Sequence, residues 1–413
     1  MVENKQVPAP GITPPRGRGR RDLVLTLVFT ALTILLWYAP TGFEDRLPPE
    51  AAQVQARVLS TDNDHVRRYG LILEGDQRLR ALVLDGAFAG QEFIADNPFL
   101  GKIELDKFFA PGDTALVVLS LQNGQVVGAV AQDHYRLGAE AWLMGLFALL
   151  LVAYGGTTGV KALISFAFAA LLIWKQMVPR YLAGQDPILI TLACLALLMA
   201  AVIFLVGGLN RKALTAYLGS LLGVGATCAL ALWLAPGFTL HGAVKAYAET
   251  LLYSGYAHMN VTRIFLATIF LGSSGAVMDL AMDVAASMDE LTAHRPDIGF
   301  WPALSSGLRV GRVVVGTMTT TLLLAYCGGY MMLLMVFMAQ GVPGANIFNM
   351  SHVAAEVLNT LVGSLGLISV APFTALVGAF LLTRRGDKDG QGDAGQGTAQ
   401  NHIFKPNSNQ NEE

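Results

Sequence analysis

The chain has 413 residues, of which 53% are hydrophobic and only 14% charged, and its formal net charge is −2. An ordinary soluble protein is roughly 25% charged, so this composition excludes a disordered chain, a coiled coil and a soluble enzyme of usual make-up. It predicts a polytopic membrane protein with a smaller water-exposed part, whose partner is the lipid bilayer and whose charge gives no reason to bind nucleic acid.

Residues 1–21 are rich in Pro and Arg and predict a disordered, basic, cytoplasmic N-terminus ending in Arg16, Arg18, Arg20 and Arg21. An apolar run from Leu23 to Ala39 follows, within a first transmembrane helix at 22–40. It is long for a signal sequence and no A-x-A cleavage site follows it, so a retained anchor is expected. The arginines keep its start in the cytoplasm.

Residues 42–137 hold most of the concentrated charge and predict a β-rich extracytoplasmic domain, an OB-like or SH3-like barrel or a sandwich. Ala52–Leu59 alternates, with Val54, Ala56 and Val58 on one face. Tyr69–Leu73 and Leu79–Asp85 are β-prone. Thr114–Leu121 and Val126–Ala131 flank Asn123-Gly124, the strongest short-range hairpin signature because both turn residues tolerate positive φ. His65 and His134 are isolated there and predict no catalytic set.

Residues 138–385 predict a seven-helix membrane domain, with apolar runs near 139–157, 160–178, 187–208, 213–235, 263–285, 311–338 and 362–383. With the first helix this makes about eight spans, N-terminus and C-terminus both inside. Lys161, Arg211, Lys212, Arg295, Arg309 and Arg312 then fall in inner loops, while Arg180, Lys245 and Arg263 depart from the bias. The segments 239–260 and 343–360 are mixed in polarity and predict interfacial or re-entrant helices. The run 311–338 contains Gly328-Gly329 and predicts a long tilted helix or a broken one. Cys194, Cys228 and Cys327 lie in apolar runs without metal or redox spacing and predict small buried hydrophobes. Residues 386–413 predict a disordered tail.

Asp279 and Asp283 are four apart and share a helix face. A carboxylate at mid-membrane costs about 2.5–3.5 kcal/mol, so these two predict a buried polar site for an ion, a small solute or a proton, with Asp279 the deeper. Arg309 and Arg312 are the expected ion-pair partners, and Thr317, Thr319 and Thr320 the expected polar lining or packing glue. On the outer side Asn346, Asn349, His352 and Glu356 recur at helical spacing and predict one polar stripe. No metal site, cofactor or catalytic set is expected, and no nucleotide-binding loop is present.

The stretches Gly275-Ala-Val-Met-Asp279, Gly316-Thr-Met-Thr-Thr-Thr-Leu-Leu-Leu-Ala-Tyr326, Gly363-Ser-Leu-Gly-Leu367 and Ala371-Pro-Phe-Thr374 resemble the YibE/F family of bacterial membrane proteins. The resemblance spans most of residues 20–385. It implies a multi-pass protein of the bacterial cytoplasmic membrane, a transporter-like role and no established substrate. Its motif positions here are Gly275, Met278, Asp279, Gly311, Arg312, Gly316, Thr317, Met318, Thr319, Gly366 and Pro372. The chain departs from the pattern at Asp283, where a small hydroxyl residue is expected, and at Thr320, where Asn is expected.

Two functions follow. The first is a secondary transporter or permease for an ion or small solute, with Asp279 in its site. The alternative is a non-transporting scaffold that presents its β-domain to an outer partner. An enzyme is not expected. A homo-oligomer is compatible with either.

Overall fold

The structure is a computed structural model that describes residues 18–43 and 50–383. The expected disordered tail and most of the basic leader lie outside those residues. The chain divides into two units, Gly42–Gly159 and a second formed by residues up to Thr41 together with Val160 onward.

In the first unit, six strands alternate buried and exposed residues: β1 (Ala51–Asp62), β2 (Arg67–Tyr69), β3 (Ile72–Val83), β4 (Glu92–Leu100), β5 (Thr114–Gln122) and β6 (Gln125–His134). Five of them close a barrel in the order β1–β3–β4–β6–β5, every pair antiparallel except β4–β6. This is the connectivity of an OB-type barrel, one of the expected alternatives. Val54, Ala56 and Val58 face the core as their alternation predicts. Asn123 and Gly124 both take positive φ, 55° and 78°, as the hairpin requires.

Two strand expectations are corrected. Tyr69–Leu73 is not one strand but the end of β2 and the start of β3 joined by a turn at Gly70-Leu71, where Gly70 takes φ 64°. β4 was not foreseen. Its core positions include Asn97, and Pro98 removes a ladder donor. Asn97 is nonetheless fully buried beside Gln77, where the two amides satisfy carbonyls within the 101–113 connection. Gln77 Nε2 donates to the Phe109 carbonyl at 2.9 Å, and Asn97 Nδ2 to that of Lys107 at 2.6 Å.

The second unit is helical. Its helices are α1 (Arg18–Tyr38), the later part of α2 (Leu137–Leu172), α3 (Val178–Leu182), α4 (Pro187–Gly207), α5 (Arg211–Leu234), α6 (Ala248–Leu251), α7 (Val261–His294), α8 (Phe300–Gly329), α9 (Met331–Ala339), α10 (Gly344–Asn349) and α11 (Ser351–Leu382). α1 starts at Arg18, so the last residues of the expected disordered leader are helical.

Among the described residues, seven helices are long and apolar enough to cross a membrane. The eight expected runs differ from this count only at Leu137–Leu182, 46 residues with a kink at Gly156 (φ 53°, ψ −128°). At 1.5 Å per residue this stretch is ~69 Å long, about twice a hydrocarbon core. The kink falls where the second expected run gives way to the third.

α5, α7 and α11 form the centre, with α4 and α8 against them. The α5–α11 contact is a seam of small residues. A Cβ on Gly219, Gly223 or Gly366 would fall 2.2 Å from Thr374 Oγ1, 2.1 Å from Val370 Cγ2 or 1.8 Å from Thr227 Oγ1. Each glycine receives a larger side chain from the facing helix, which brings the antiparallel backbones close. Gly311 meets Ala371 in the same way, joining α8 to α11.

Two further expectations change, and one open alternative is decided. The segment 239–260 is not one amphipathic helix but short turns around α6, interrupted by positive φ at Tyr247 and Gly255. The segment 343–360 divides into α10 and the start of α11, so the last span begins at Ser351 rather than near 362. The run 311–338 is broken at Tyr330 (φ −110°), where α8 stops and α9 begins.

Candidate functional site

Of the residues named from sequence, Glu356 becomes the centre of a polar cluster. It lies one turn into α11, with its side chain mostly buried. Its carboxylate accepts from Lys245 Nζ, from the Tyr330 hydroxyl at 2.8 Å and from Asn359 Nδ2 at 3.3 Å. Lys245 comes from the turns before α6 and also stands over the Phe265 ring. Tyr330 reaches Glu356 because the α8–α9 break is there. Two separate pieces of chain thus converge on one carboxylate, beside a neighbour on its own helix. Asn359 is buried and its Oδ1 has no partner among the described residues.

The cluster forms part of the wall of a cavity of about 410 Å³ between the end of α8, α9 and the start of α11. Leu323, Leu334, Phe337, Phe348, Val357 and Leu361 make its apolar walls, and Tyr326, Tyr330, His352, Glu356 and Thr360 are its polar groups. The His352 ring stacks on Phe337, centroids 6.1 Å apart. Cys327 also lines this cavity and is only half-buried, unlike Cys194 and Cys228.

The outer polar stripe is therefore corrected. Met350 is extended (ψ 129°) and interrupts the helix between Asn349 and His352. Only His352 and Glu356 share a helix. Asn346 and Asn349 are exposed on α10, where Asn349 bonds the Ala345 carbonyl.

A second polar cluster sits at the same end of α7. Arg263 Nη2 donates to Asp186 Oδ2 at 2.5 Å, and Asp186 also caps α4 through the Ile188 and Leu189 N–H groups. Some desolvation works against its ionisation. The Ile188 N–H, the Arg263 side chain and the Leu189 N–H outweigh it and hold the carboxyl below the usual 3.8. With His258 and Asn260 these residues line a smaller cavity of about 220 Å³.

Asp279 and Asp283 behave differently. Both are exposed on one face of α7 beside α8. Among the described residues neither forms an ion pair with Arg309 or Arg312, which are exposed on α8, so the expected pairing is corrected. The threonines are also committed elsewhere. Thr317, Thr319 and Thr320 donate to the carbonyls of Val314, Val315 and Gly316 on their own helix.

α4 sets the depth of these groups. Its 21 residues span ~32 Å, about one hydrocarbon thickness. On α7, Arg263 meets Asp186 at the start of α4, and Met282 packs on Gly207 at its end. Asp283 is therefore level with the α4 end, and Asp279 is one turn, ~6 Å, deeper. The α8 residue facing this level is Gly311, against Val284, which sets Arg312 beside the same boundary.

The implied motif positions separate by role. Gly311, Gly366 and Met278 are packed, while no side chain approaches a Cβ built on Gly275 or Gly316. Sequence reasoning missed Tyr330, Tyr326 and Asn359, and took Lys245 only as an exception to the charge bias. That exception was the available signal: a lone lysine on the outer side needs a partner.

Among known proteins, no curated protein and no solved structure matches the chain. A match to the family described as YibE/F-like protein covers residues 143–384, more than half of the chain and the whole region that carries both polar faces. With seven helices among the described residues apolar enough to span a bilayer, the chain is a membrane protein and belongs to the YibE/F-like family.

Proposed function

We propose that the protein is a secondary permease for an ion or small polar solute in the bacterial cytoplasmic membrane, with the Glu356 cavity as its outward-facing site. The observation that carries this is Glu356, which lines a mainly apolar cavity of about 410 Å³ while its carboxylate pairs with Lys245 behind it. A pair that served packing alone would gain little over apolar residues of the same shape. A pair at a cavity wall can exchange its partner. A cation could replace Lys245 at Glu356, or an anion could draw Lys245 away. Either would release the 239–260 turns from α11, which is the kind of outer gate a permease needs.

One face of α8 supports a route inward from this site. Tyr330, Cys327, Leu323, Gly316 and Arg312 recur at helical spacing. They run from the cavity to the level of Asp283. Asp279 and the threonine face would then line the inner half, where water rather than lipid meets the carboxylates. Broken helices flanking such a site are a common permease feature.

The topology we propose has eight crossings with both termini in the cytoplasm. In support, Asp22 at the start of α1 pairs with Lys161 and lies beside Gly208, and Arg211, three residues on, bonds the Leu381 carbonyl at the end of α11. Two termini at one end need an even number of crossings, so the kink at Gly156 divides two spans. No catalytic role is assigned.

The test is flux into proteoliposomes under imposed gradients of protons, sodium, potassium and small anions. The expected result is uptake with one of these, lost in Glu356→Gln and in Lys245→Met. No flux with any gradient, from protein that melts cooperatively, would contradict the permease and leave the membrane scaffold.

A further inference from the structure

The strand directions of the barrel bring three features to one end. β4 and β6 are parallel, so Leu100 and His134 close their strands at the same end. β3 is antiparallel to β4, and β5 to β6, so both begin there. That end carries the exit into α2, the β2–β3 hairpin and the 101–113 connection. Phe109 from this connection stacks on His134, centroids 4.4 Å apart.

Only Tyr135 and Arg136 separate β6 from α2, a reach of ~7 Å for extended chain. From Gln77, which holds Phe109, β3 extends back to Ile72, ~17 Å by strand rise. The hairpin tip thus reaches the level at which α2 begins.

This tip is apolar and uncovered. Leu71 is 83% exposed, Leu100 66%, Ile103 65% and Tyr69 58%. A Cβ on Gly101 would contact Ile72, so the hairpin and the 101–105 turn make one patch. Arg67, Arg68 and Lys102 are exposed beside it, with Glu74 and Glu104 nearby. Such a patch is unfavourable in water. Aliphatic and aromatic side chains rimmed by basic ones suit the headgroup region, where the apolar parts reach the acyl boundary and the cations meet phosphate.

We propose that this end of the barrel is seated in the outer leaflet, with Tyr69, Leu71, Leu100 and Ile103 inserted and Arg67, Arg68 and Lys102 on lipid phosphates. The inference rests on the crossing assigned above to the first half of α2, and not on transport.

The test uses the full chain in phosphatidylglycerol-containing nanodiscs. Single cysteines in a cysteine-free background, Leu71→Cys, Ile103→Cys, Asn123→Cys and Leu149→Cys, carry an environment-sensitive fluorophore, and lipid-borne nitroxides serve as quenchers. Position 123 lies at the opposite end of the barrel, and position 149 within the apolar part of α2. Quenching at 71 and 103 several-fold above that at 123 is expected, with strong quenching at 149. Leu71→Ser/Leu100→Ser should melt as wild type in detergent yet lose the quenching at 103. Quenching at 149 with none at 71 would overturn the seat while leaving the crossing, and would be the outcome if a protein covered the patch instead. No quenching at either position would overturn both.

Discussion

Glu356 and Asp279 are both carboxylates on central helices of one bundle, and the fold treats them in opposite ways. Glu356 is held by a lysine and a tyrosine from two separate pieces of chain and by an asparagine of its own helix. Asp279 has no cationic partner among the described residues and faces outward from α7. The difference shows that a membrane acid is stabilised by what converges on it and not by its place in a motif. Asp279 stands on the unbroken helix α7, and the threonines of α8 bond carbonyls of their own helix. Glu356 stands where chain breaks at Tyr330 and Met350 let loop residues approach.

The largest expected effect sharpens this contrast. Lys245→Met leaves the Glu356 charge without its cation. A fully buried pair broken this way costs about 3–5 kcal/mol. Lys245 keeps about a third of its side chain exposed, so a loss nearer 2 kcal/mol is expected. Adding Glu356→Leu should return most of it, as a melt of the double variant would show. If the double variant is no more stable than the single one, the pair is not what holds the turns to α11.

Tyr330→Phe comes next. It removes one hydrogen bond to a charged acceptor, about 1.5 kcal/mol, without changing the cavity's shape. An equal loss in a Glu356→Gln background would mean that the hydroxyl does not act through the carboxylate. A double-mutant cycle decides this.

Asp186 lies between the two extremes, since it is half-buried and paired. Asp186→Asn keeps a capping oxygen but removes the charge that pairs with Arg263, and should cost up to about 1 kcal/mol at neutral pH. The folded carboxyl is depressed below 3.8. Its contribution is therefore present above that pH and fades as pH falls through the lower folded value. Wild type and variant melts should converge in acid. A gap that widens on acidification would reverse the sign.

Asp279→Asn should have the smallest effect on stability, within about 0.5 kcal/mol in detergent, because no protein contact is lost. A large loss would mean that Asp279 is covered, and would remove the contrast drawn here.

The sequence was informative wherever one local rule decided the outcome. The alternation of Val54, Ala56 and Val58 gave the barrel's inner face, and Asn123-Gly124 gave the hairpin. The apolar runs gave α4 and α5 nearly to the residue, and the start of α7, which continues nine residues past its run to His294. It was silent where backbone breaks decide. Nothing in Leu322–Ala339 announces that the helix stops at Tyr330, since Gly328-Gly329 also fits a continuous tilted helix. Glu356 was visible as a polar residue of the last helix, but not its partners. Lys245 lies 111 residues away, and Asn359 is hidden in an apolar run. Asp279 drew attention because its motif is distinctive, and a motif does not report burial. β4 escaped because a buried Asn next to Pro reads as a loop until Gln77 is seen beside it.

The central claim is that the Glu356 cavity, and not the Asp279 face, first takes up the solute. The most direct measurement is thermal stability of the full chain across protons, monovalent and divalent cations and small anions, for wild type, Glu356→Gln and Asp279→Asn. A solute at a hundred times its dissociation constant stabilises by about 2.7 kcal/mol, a clear shift in a melt. The account predicts a shift with one solute that disappears in Glu356→Gln and persists in Asp279→Asn. A shift that persists in Glu356→Gln and disappears in Asp279→Asn would contradict it.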